Sequence, residues 1–212
     1  MITLAITGGV ATGKSAAVGK LGEMWGDTAA FFSADASVHE LLTTSRIKTK
    51  LSEVFGNAIF DAAGEVDRGK LRQIVFRDPL LRRKLEQIIH PEVFEAGKEA
   101  HAFAKESRSL LFVYEIPLLY EVESQRERDF DVVVAASEET QRLRMAEKRG
   151  LEPEIIDNLL KAQMPIDEKV RRADFVIWND GSEAELEEQV FLLSNLLQSA
   201  PARDEFSPVT AA

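Results

Sequence analysis

The sequence contains no cysteine among its 212 residues, so disulfide bonds, thiolate metal sites and cysteine nucleophiles are excluded. Only three histidines are present, and the wide spacing of His39, His90 and His101 argues against a zinc cluster. No apolar run approaches the ~20 residues of a membrane-spanning helix, and the amino-terminal segment lacks the basic region and cleavage site of a signal peptide. We therefore expect a cytoplasmic protein with no membrane partner.

Basic residues are fewer than acidic residues. The 26 lysines and arginines are outnumbered by 36 aspartates and glutamates, which gives a formal net charge of −10. Proteins that bind nucleic acid are expected to present a basic face, so no nucleic-acid partner is predicted. The hydrophobic fraction of 45% and the chain length are sufficient for one domain with a well-buried core.

Five short apolar segments carry the β-strand signal, at residues 2–7, 29–34, 109–117, 131–137 and 173–180. Each is a nearly continuous apolar run, which is typical of strands buried on both faces of a parallel sheet. Helical patterns separate them, at residues 14–25, 138–149, 152–163 and 183–198. The pattern predicts an α/β fold: a three-layer, doubly wound, parallel five-stranded sheet with helices on both faces.

The stretch at residues 36–105, between the second and third predicted strands, is too long for a simple crossover. Its helical pattern predicts an insertion beside the sheet, in which one helix ends at His90 and Pro91 opens the next. A single domain is expected over residues 1–198, with residues 199–212 as a flexible tail. The aromatic residues Phe31, Phe32 and Trp178 are predicted to belong to the core.

A glycine-rich turn follows the first predicted strand and precedes the first predicted helix. Gly8, Gly13, Lys14 and Ser15 fit the phosphate-loop pattern G-x-x-x-x-G-K-S. Glycines allow backbone N–H groups to form an anion nest, and the helix that follows adds its own unpaired N–H groups. Lys14 supplies charge for the β- and γ-phosphates, while the Ser15 hydroxyl is a ligand for Mg²⁺. The predicted ATP-binding residues are Gly9, Val10, Ala11, Thr12, Gly13, Lys14, Ser15 and Ala16.

Two carboxylates follow predicted strands at the edge of the sheet where the loop lies. Asp35 can accept a proton from an attacking hydroxyl or bind magnesium through water, and it can equally cap the helix that follows. Glu115 can hold the water shell of a metal, as in a Walker B site, or form a salt bridge with a nearby lysine or arginine. The residues alone leave both alternatives open.

Basic residues cluster on the predicted helix at residues 138–149. One face of it can close over a transferring phosphate, and the planar fork of Arg144 suits that task. A charge run of this kind is also typical of a helix face exposed to solvent. Outside this helix, His90 can contact a phosphate or hydroxyl, or cap the helix that follows it.

Taken together, a set of short motifs resembles the dephospho-CoA kinase family in order and spacing over residues 2–182. The motifs are "TGGVATGKS", "SADASVHELL", "FRDP", "LEQIIHPEV", "IPLLYE", "QRLRMAEKRG", "AQMP" and "ADFVIWNDGS". The resemblance implies transfer of phosphate from ATP to the ribose 3′-hydroxyl of dephospho-CoA, with Mg²⁺ as the metal. It also implies a phosphate-loop NTPase fold with a helical substrate-binding insertion at about 36–105 and a helical lid at about 138–165.

The family's site residues transfer to matching positions of this sequence. The resemblance implies catalytic roles for Asp35, Lys14 and Arg144, and ATP binding by Asn179 in addition to the loop. It implies that Thr7, Asp35, His90 and Arg149 bind the substrate, and that Ser15 and Glu115 hold the metal. The expected partners are ATP and dephospho-CoA, and the expected state is a monomer or small homo-oligomer.

The sequence departs from the family pattern at Ser33, where an acidic residue is common, and at Trp178, where a small polar or acidic residue is usual. Two alternative functions remain open at this stage. One is another small-molecule kinase of the same fold, with a nucleoside or small alcohol as acceptor. The other is a nucleotide-dependent switch, although the chain offers "WNDGS" in place of the Asn-Lys-x-Asp segment of a guanine-specific switch.

Overall fold

The computed structural model describes residues 1–122 and 126–199 of the chain. Apart from Ser199, the segment that was predicted to be a flexible tail lies outside the described residues. The chain divides into two compact units. The first comprises Met1–Phe32 together with the chain from Phe103 onward, and the second is Ser33–Ala102.

A five-stranded sheet forms the centre of the first unit. Its strands are β1 (Ile2–Gly8), β2 (Ala29–Ser33), β3 (Leu111–Glu115), β4 (Phe130–Ala135) and β5 (Phe175–Trp178). Their spatial order is β2-β3-β1-β4-β5, and β1 pairs in parallel with both β3 and β4, as β4 does with β5. The register aligns Ile6 of β1 with Glu115 of β3, and Gly8 with Val134 of β4. The carboxyl ends of the strands therefore meet at one edge, where the glycine-rich turn begins.

Helices cover the sheet of this unit. They are α1 (Lys14–Trp25), α6 (Glu138–Arg149), α7 (Pro153–Lys161), α8 (Ile166–Arg172) and α9 (Glu183–Ser199). On one face, Leu4 and Ile6 of β1 join Leu21 of α1 and Val190 of α9 in a continuous buried cluster. The alternate residues of the strands, such as Phe112, are buried on the opposite face. Burial on both faces explains the continuous apolar runs in the sequence and confirms the predicted α/β fold.

The second unit is helical. It contains α2 (Ala34–Leu41), α3 (Ser45–Phe55), α4 (Arg68–Arg77) and most of α5 (Pro79–Glu106), together with a short antiparallel bridge between Phe60 and Val66. Local capping sets the helix starts, since Asp67 accepts from the amides of Gly69 and Lys70 at the start of α4. The prediction that residues 36–105 form a substrate-binding insertion stays a prediction.

Two sequence predictions about helices were wrong. The helix expected to end at His90 continues through Pro91 as the 28-residue α5. An internal proline costs one hydrogen bond and about 3 kcal/mol, and burial of Ile89 and Val93 on either side offsets that cost. The seven-residue α8 was not predicted, because it is too short for helical periodicity to stand out.

The aromatic prediction was partly wrong. Phe32 is buried, whereas Phe31 and Trp178 are 39% and 43% exposed. Trp178 ends β5, an edge strand of the sheet, so one side of its ring has no neighbouring strand to cover it. In the part of the chain that the structure describes, no helix is both long and apolar enough to cross a membrane.

Candidate active site

The glycine-rich turn joins the end of β1 to the start of α1. Gly13 occupies the N-cap position of α1 with φ of +92°, and Ala11 also has a positive φ of +57°. Glycine has no side chain to cap the helix, so the first N–H groups of α1 are left for a ligand or solvent. Such a helix start attracts anions, because its N–H groups and its dipole both favour negative charge.

Close packing requires glycine at three positions of this turn. A Cβ atom on Gly8 would lie 2.2 Å from the carbonyl oxygen of Val134, and one on Gly9 would lie 2.7 Å from Oε1 of Gln141. A Cβ atom on Gly13 would lie 2.2 Å from Nδ2 of Asn179. All three distances are shorter than real Cβ contacts, so the glycines allow neighbouring groups to approach the backbone directly.

Side chains hold the carbonyl groups of the turn from outside. Asn179, which is buried, donates from Nδ2 to the carbonyl oxygen of Thr12 at 2.8 Å. The Thr12 hydroxyl and the Lys14 ammonium both donate to the carbonyl oxygen of Gly9, at 3.0 and 3.4 Å. Arg144 on α6 donates to the carbonyl oxygen of Ala11 at 3.4 Å. The turn is therefore fixed by two of its own side chains, and by Asn179 and Arg144 from distant parts of the chain.

A cavity of about 530 Å³ opens beside this turn. Its volume lies within the range of small-molecule sites. The lining residues are Ala11, Thr12, Gly13, Lys14, Ser15, Ala16, Arg144, Lys148, Arg149, Asn179, Gly181, Glu183 and Leu186. Nine of these residues were predicted as site residues from the sequence, namely Ala11, Thr12, Gly13, Lys14, Ser15, Ala16, Arg144, Arg149 and Asn179. Gly9 and Val10, which were also predicted to bind ATP, are not among the lining residues.

The electrostatics of the cavity differ from those of the chain as a whole. Lys14, Arg144, Lys148 and Arg149 place four cationic groups on its lining, against the single carboxylate of Glu183. Glu183 in turn forms a salt bridge with Lys20 at 3.1 Å, so its charge is partly compensated. In a chain with a net charge of −10, the cavity is a local concentration of positive charge that suits a polyanionic ligand.

Two oxygen donors meet beside the cavity. The Ser15 hydroxyl donates to Oε1 of Glu115, which ends β3, at 2.9 Å. In the described residues, no salt bridge links Glu115 to a lysine or arginine, and no group of three or more histidines, aspartates and glutamates could hold a metal alone. One carboxylate and one hydroxyl fit Mg²⁺, which binds hard oxygen atoms and completes its shell with water and substrate phosphates.

Three predicted substrate residues are not among the residues that line the cavity. The Thr7 side chain is fully buried, and its hydroxyl donates to the carbonyl oxygen of Pro117 at 3.1 Å. Asp35 is exposed in the first turn of α2, where Ser33 caps the helix by accepting from the amide of Ala36. His90 is exposed within α5 and does not cap a helix start. Their roles in substrate binding stay predictions.

The connection after β5 is held by Asp180. Its carboxylate accepts from the Ser137 amide at 2.8 Å and from the Trp178 indole at 2.9 Å. Burial would raise the pKa of Asp180, but these hydrogen bonds outweigh it and leave the pKa below its ordinary value. Asn179, the neighbouring residue, is therefore anchored on one side by the strand and on the other by the start of α6.

Several residues around the cavity were not predicted from the sequence. Lys148 was noted only as part of a charge run, and Gly181, Glu183 and Leu186 were not considered. Gln141 was also missed, although its buried side chain approaches Gly9 and donates to the carbonyl oxygen of Ala136 at 3.0 Å. No motif marks these residues, since their role depends on contacts between segments far apart in the sequence.

Comparison with known proteins identifies the family. The sequence model of the dephospho-CoA kinase family matches residues 2–185. The chain belongs to the dephospho-CoA kinase family. A dephospho-CoA kinase of Symbiobacterium thermophilum is 39% identical over 184 residues, which cover 86% of this chain and 75% of that protein. A second, from Syntrophotalea carbinolica, is 33% identical over 91% of this chain and 90% of its own length.

A solved structure has a similar fold. The crystal structure of TT1252 from Thermus thermophilus matches 94% of this chain and 98% of its own, at 31% identity and a TM-score of 0.75. The predicted phosphate-loop kinase fold and the predicted membership of the dephospho-CoA kinase family, whose members are ATP-dependent kinases, are therefore confirmed.

Proposed function

We propose that this chain transfers the γ-phosphoryl group of ATP to the ribose 3′-hydroxyl of dephospho-CoA, giving coenzyme A and ADP. The observation that carries the proposal is the cavity of about 530 Å³ that joins the phosphate loop to the cations of α6, in a chain of the dephospho-CoA kinase family. Phosphoryl transfer needs little covalent chemistry from the protein. It needs positioning of the reactants and neutralisation of charge, which these groups supply.

ATP binds in this proposal with its phosphates at the start of α1. The N–H groups of the loop other than that of Val10, and those of the first helical turn, bind phosphate oxygens, and Lys14 neutralises the β- and γ-phosphates. Asn179 supports ATP binding by holding the Thr12 carbonyl at 2.8 Å, which keeps the loop in the shape that the phosphates require. The remaining cavity, towards Gly181 and Leu186, has room for the nucleoside.

The arginines of α6 are proposed to act on the transferring group. Arg144 lines the cavity and hydrogen-bonds the loop at the Ala11 carbonyl, so its guanidinium lies beside the phosphate site. Charge on the equatorial oxygens of the transferring group rises in the transition state, and an arginine stabilises it. Arg149 lines the same cavity and is proposed to bind the substrate. On this proposal, residues 138–165 act as the lid.

Ser15 and Glu115 are the residues that would hold Mg²⁺. When bound, the ion supplies positive charge that draws electron density from the phosphate oxygens. Glu115 accepts a hydrogen bond from the Ser15 hydroxyl. The carboxylate oxygens of Glu115 and the hydroxyl oxygen of Ser15 are hard ligands of the kind that Mg²⁺ prefers. The pair thereby fixes the orientation of the Ser15 side chain at the start of α1.

Asp35 is the proposed base of the reaction. Its carboxylate is exposed to solvent and not consumed by capping, since Ser33 caps α2. It accepts the proton of the 3′-hydroxyl as the oxygen forms its bond to phosphorus and the bond to ADP breaks. His90 and Thr7 are proposed to bind the substrate, and Ser33–Ala102 is the proposed substrate-binding unit.

Coupled measurement of ADP release tests the proposal. Protein, ATP and Mg²⁺ are mixed with dephospho-CoA, and parallel reactions contain adenosine, a small alcohol or no acceptor. Of the acceptors tested, we expect only dephospho-CoA to increase ADP release. Phosphorus NMR should locate the new phosphate on the 3′-oxygen. Lys14→Met is the control for ATP chemistry, and Asp35→Ala is the control for acceptor activation. Release that is equal with every acceptor would contradict the proposal.

A further inference from the structure

Two residues that follow α7 form hydrogen bonds with the phosphate loop. Oε1 of Gln163 accepts from the amide of Val10 at 2.9 Å. Six residues later, the ammonium group of Lys169 donates to the carbonyl oxygen of Gly8 at 3.3 Å. The first half of the loop is thus bound on an N–H group and on a C=O group by residues more than 150 positions away in the sequence.

Lys169 is an unusual residue for this position because its side chain is 0% exposed. Besides Gly8, its ammonium donates to the carbonyl oxygen of Pro117 at 3.0 Å and forms a salt bridge with Oε1 of Glu121 at 2.8 Å. Three oxygen partners match the three donors of an ammonium group. Gly8 ends β1, whereas Pro117 and Glu121 lie in the segment that follows β3, so Lys169 connects the end of β1 to the segment after β3.

Glu121 links the segment that follows α7 a second time. Its Oε1 also accepts from the amide of Met164 at 2.9 Å, next to Gln163 in the chain. Buried ion pairs add little net stability compared with well-packed apolar side chains, because desolvation of both charges is costly. The contacts of Lys169 and Glu121 with backbone groups are therefore better explained by positioning of the phosphate loop than by a gain in folding stability.

We propose that Gln163 and Lys169, with Glu121 as the counter-ion of Lys169, are positioning residues for the phosphate loop. Gln163 holds the Val10 amide and Lys169 holds the Gly8 carbonyl, so the loop has its binding shape before the phosphates arrive. A site organised in advance binds more tightly, because less ordering is left to occur on binding. This inference rests on the proposed function in taking ATP as the ligand, and it is independent of the identity of the acceptor.

The first test replaces Gln163 with methionine, which keeps the length of the side chain and removes the acceptor. ATP binding is measured by calorimetry without any acceptor, and KM and kcat are measured for both substrates. We expect about fivefold weaker ATP binding, the scale of one hydrogen bond, and a melting temperature lower by no more than about 4 °C. KM for ATP should rise similarly while KM for dephospho-CoA stays constant. Gln198→Met, at an exposed position of α9, is the matched control and should leave ATP binding unchanged.

The second test removes the ion pair. Lys169→Met alone leaves Glu121 buried without its cation and is expected to unfold at lower temperature. The double variant Lys169→Met with Glu121→Gln removes both charges, so it should recover melting temperature relative to the single variant and still bind ATP about fivefold more weakly. If Gln163→Met and the folded double variant both bind ATP as the parent does, the inference is wrong, even where dephospho-CoA proves to be the acceptor. Weakened ATP binding supports the inference even where another acceptor is found.

Discussion

Replacement of Gly13 by alanine is the sharpest test of how the nucleotide site is built. Gly13 has a φ of +92°, a left-handed conformation that costs an L-residue about 1–2 kcal/mol. The new Cβ atom would lie 2.2 Å from Nδ2 of Asn179, so that amide must move away. Its hydrogen bond to the Thr12 carbonyl, 2.8 Å long and buried, is then lost.

These terms add to a measurable loss of stability. Loss of the buried hydrogen bond costs about 1 kcal/mol, and the unpaired Thr12 carbonyl adds a further penalty of similar size. With the backbone strain, the free energy of unfolding should fall by about 2–4 kcal/mol. Gly19→Ala is the matched control, because a Cβ atom there meets nothing within 4 Å and the position is inside α1. That change should raise stability by about 0.5–1 kcal/mol.

Urea unfolding and ATP titration of four variants complete the experiment. These are Gly13→Ala, Gly19→Ala, Asn179→Ala and the double variant at Gly13 and Asn179. Because both single variants lose the same hydrogen bond and leave the Thr12 carbonyl unpaired, the double variant should lose about 2 kcal/mol less than the sum of the single losses. ATP affinity should fall at least about tenfold in Gly13→Ala, the equivalent of about 1.4 kcal/mol. Strict additivity, or a Gly13→Ala protein as stable as Gly19→Ala, would refute the reasoning.

Three further predictions concern the side chains of Arg144, Ser15 and Asp180. Arg144→Ala should lower turnover about 10³-fold, whereas Arg142→Ala, whose side chain pairs with Glu138 and Asp157, should leave steady-state turnover nearly unchanged. Ser15→Ala should raise the Mg²⁺ concentration required for half-maximal turnover, and an unchanged Mg²⁺ titration would contradict the metal assignment. Folding lowers the pKa of Asp180, so its ionised carboxylate stabilises the folded protein. This stabilisation is complete at pH values above the pKa of aspartate in the unfolded chain, about 4, and is lost as the pH falls through the pKa of the folded state. The urea midpoints of the parent and Asp180→Asn should therefore differ at neutral pH and converge as the pH falls from about 5 to below the unfolded value of about 4.

Most of the fold could be predicted from the sequence because its signals are local. The continuous apolar runs predicted each strand to within a few residues, and the start of α1 at Lys14 follows from the glycine turn before it. The exceptions also have physical causes. Pro91 was treated as a helix start because a proline disfavours the helix interior, but packing around α5 overrides that preference.

The part of the candidate site that belongs to the phosphate-loop motif was predictable, because that motif reflects the backbone conformation needed to bind an anion. Lys14, Ser15 and the glycines follow from the anion nest, and Arg144 followed from the resemblance to the family. Contacts such as that of Gln163 with Val10 join residues 153 positions apart, and no periodicity or local spacing encodes them. Only the folded sheet, which gathers the strand ends at one edge, brings these groups together.

The distribution of charge explains how an acidic chain can hold a ligand as negative as ATP. At physiological ionic strength, exposed charges are screened beyond about 8 Å, so the net charge of −10 has little influence inside the cavity. There the nearest charges are Lys14, Arg144, Lys148 and Arg149, and the helix start adds its own positive potential. A nucleotide whose phosphates lie at the start of α1 would meet these four cations, against the single carboxylate of Glu183. The affinity for ATP should therefore depend on these four cations far more than on the net charge of the chain.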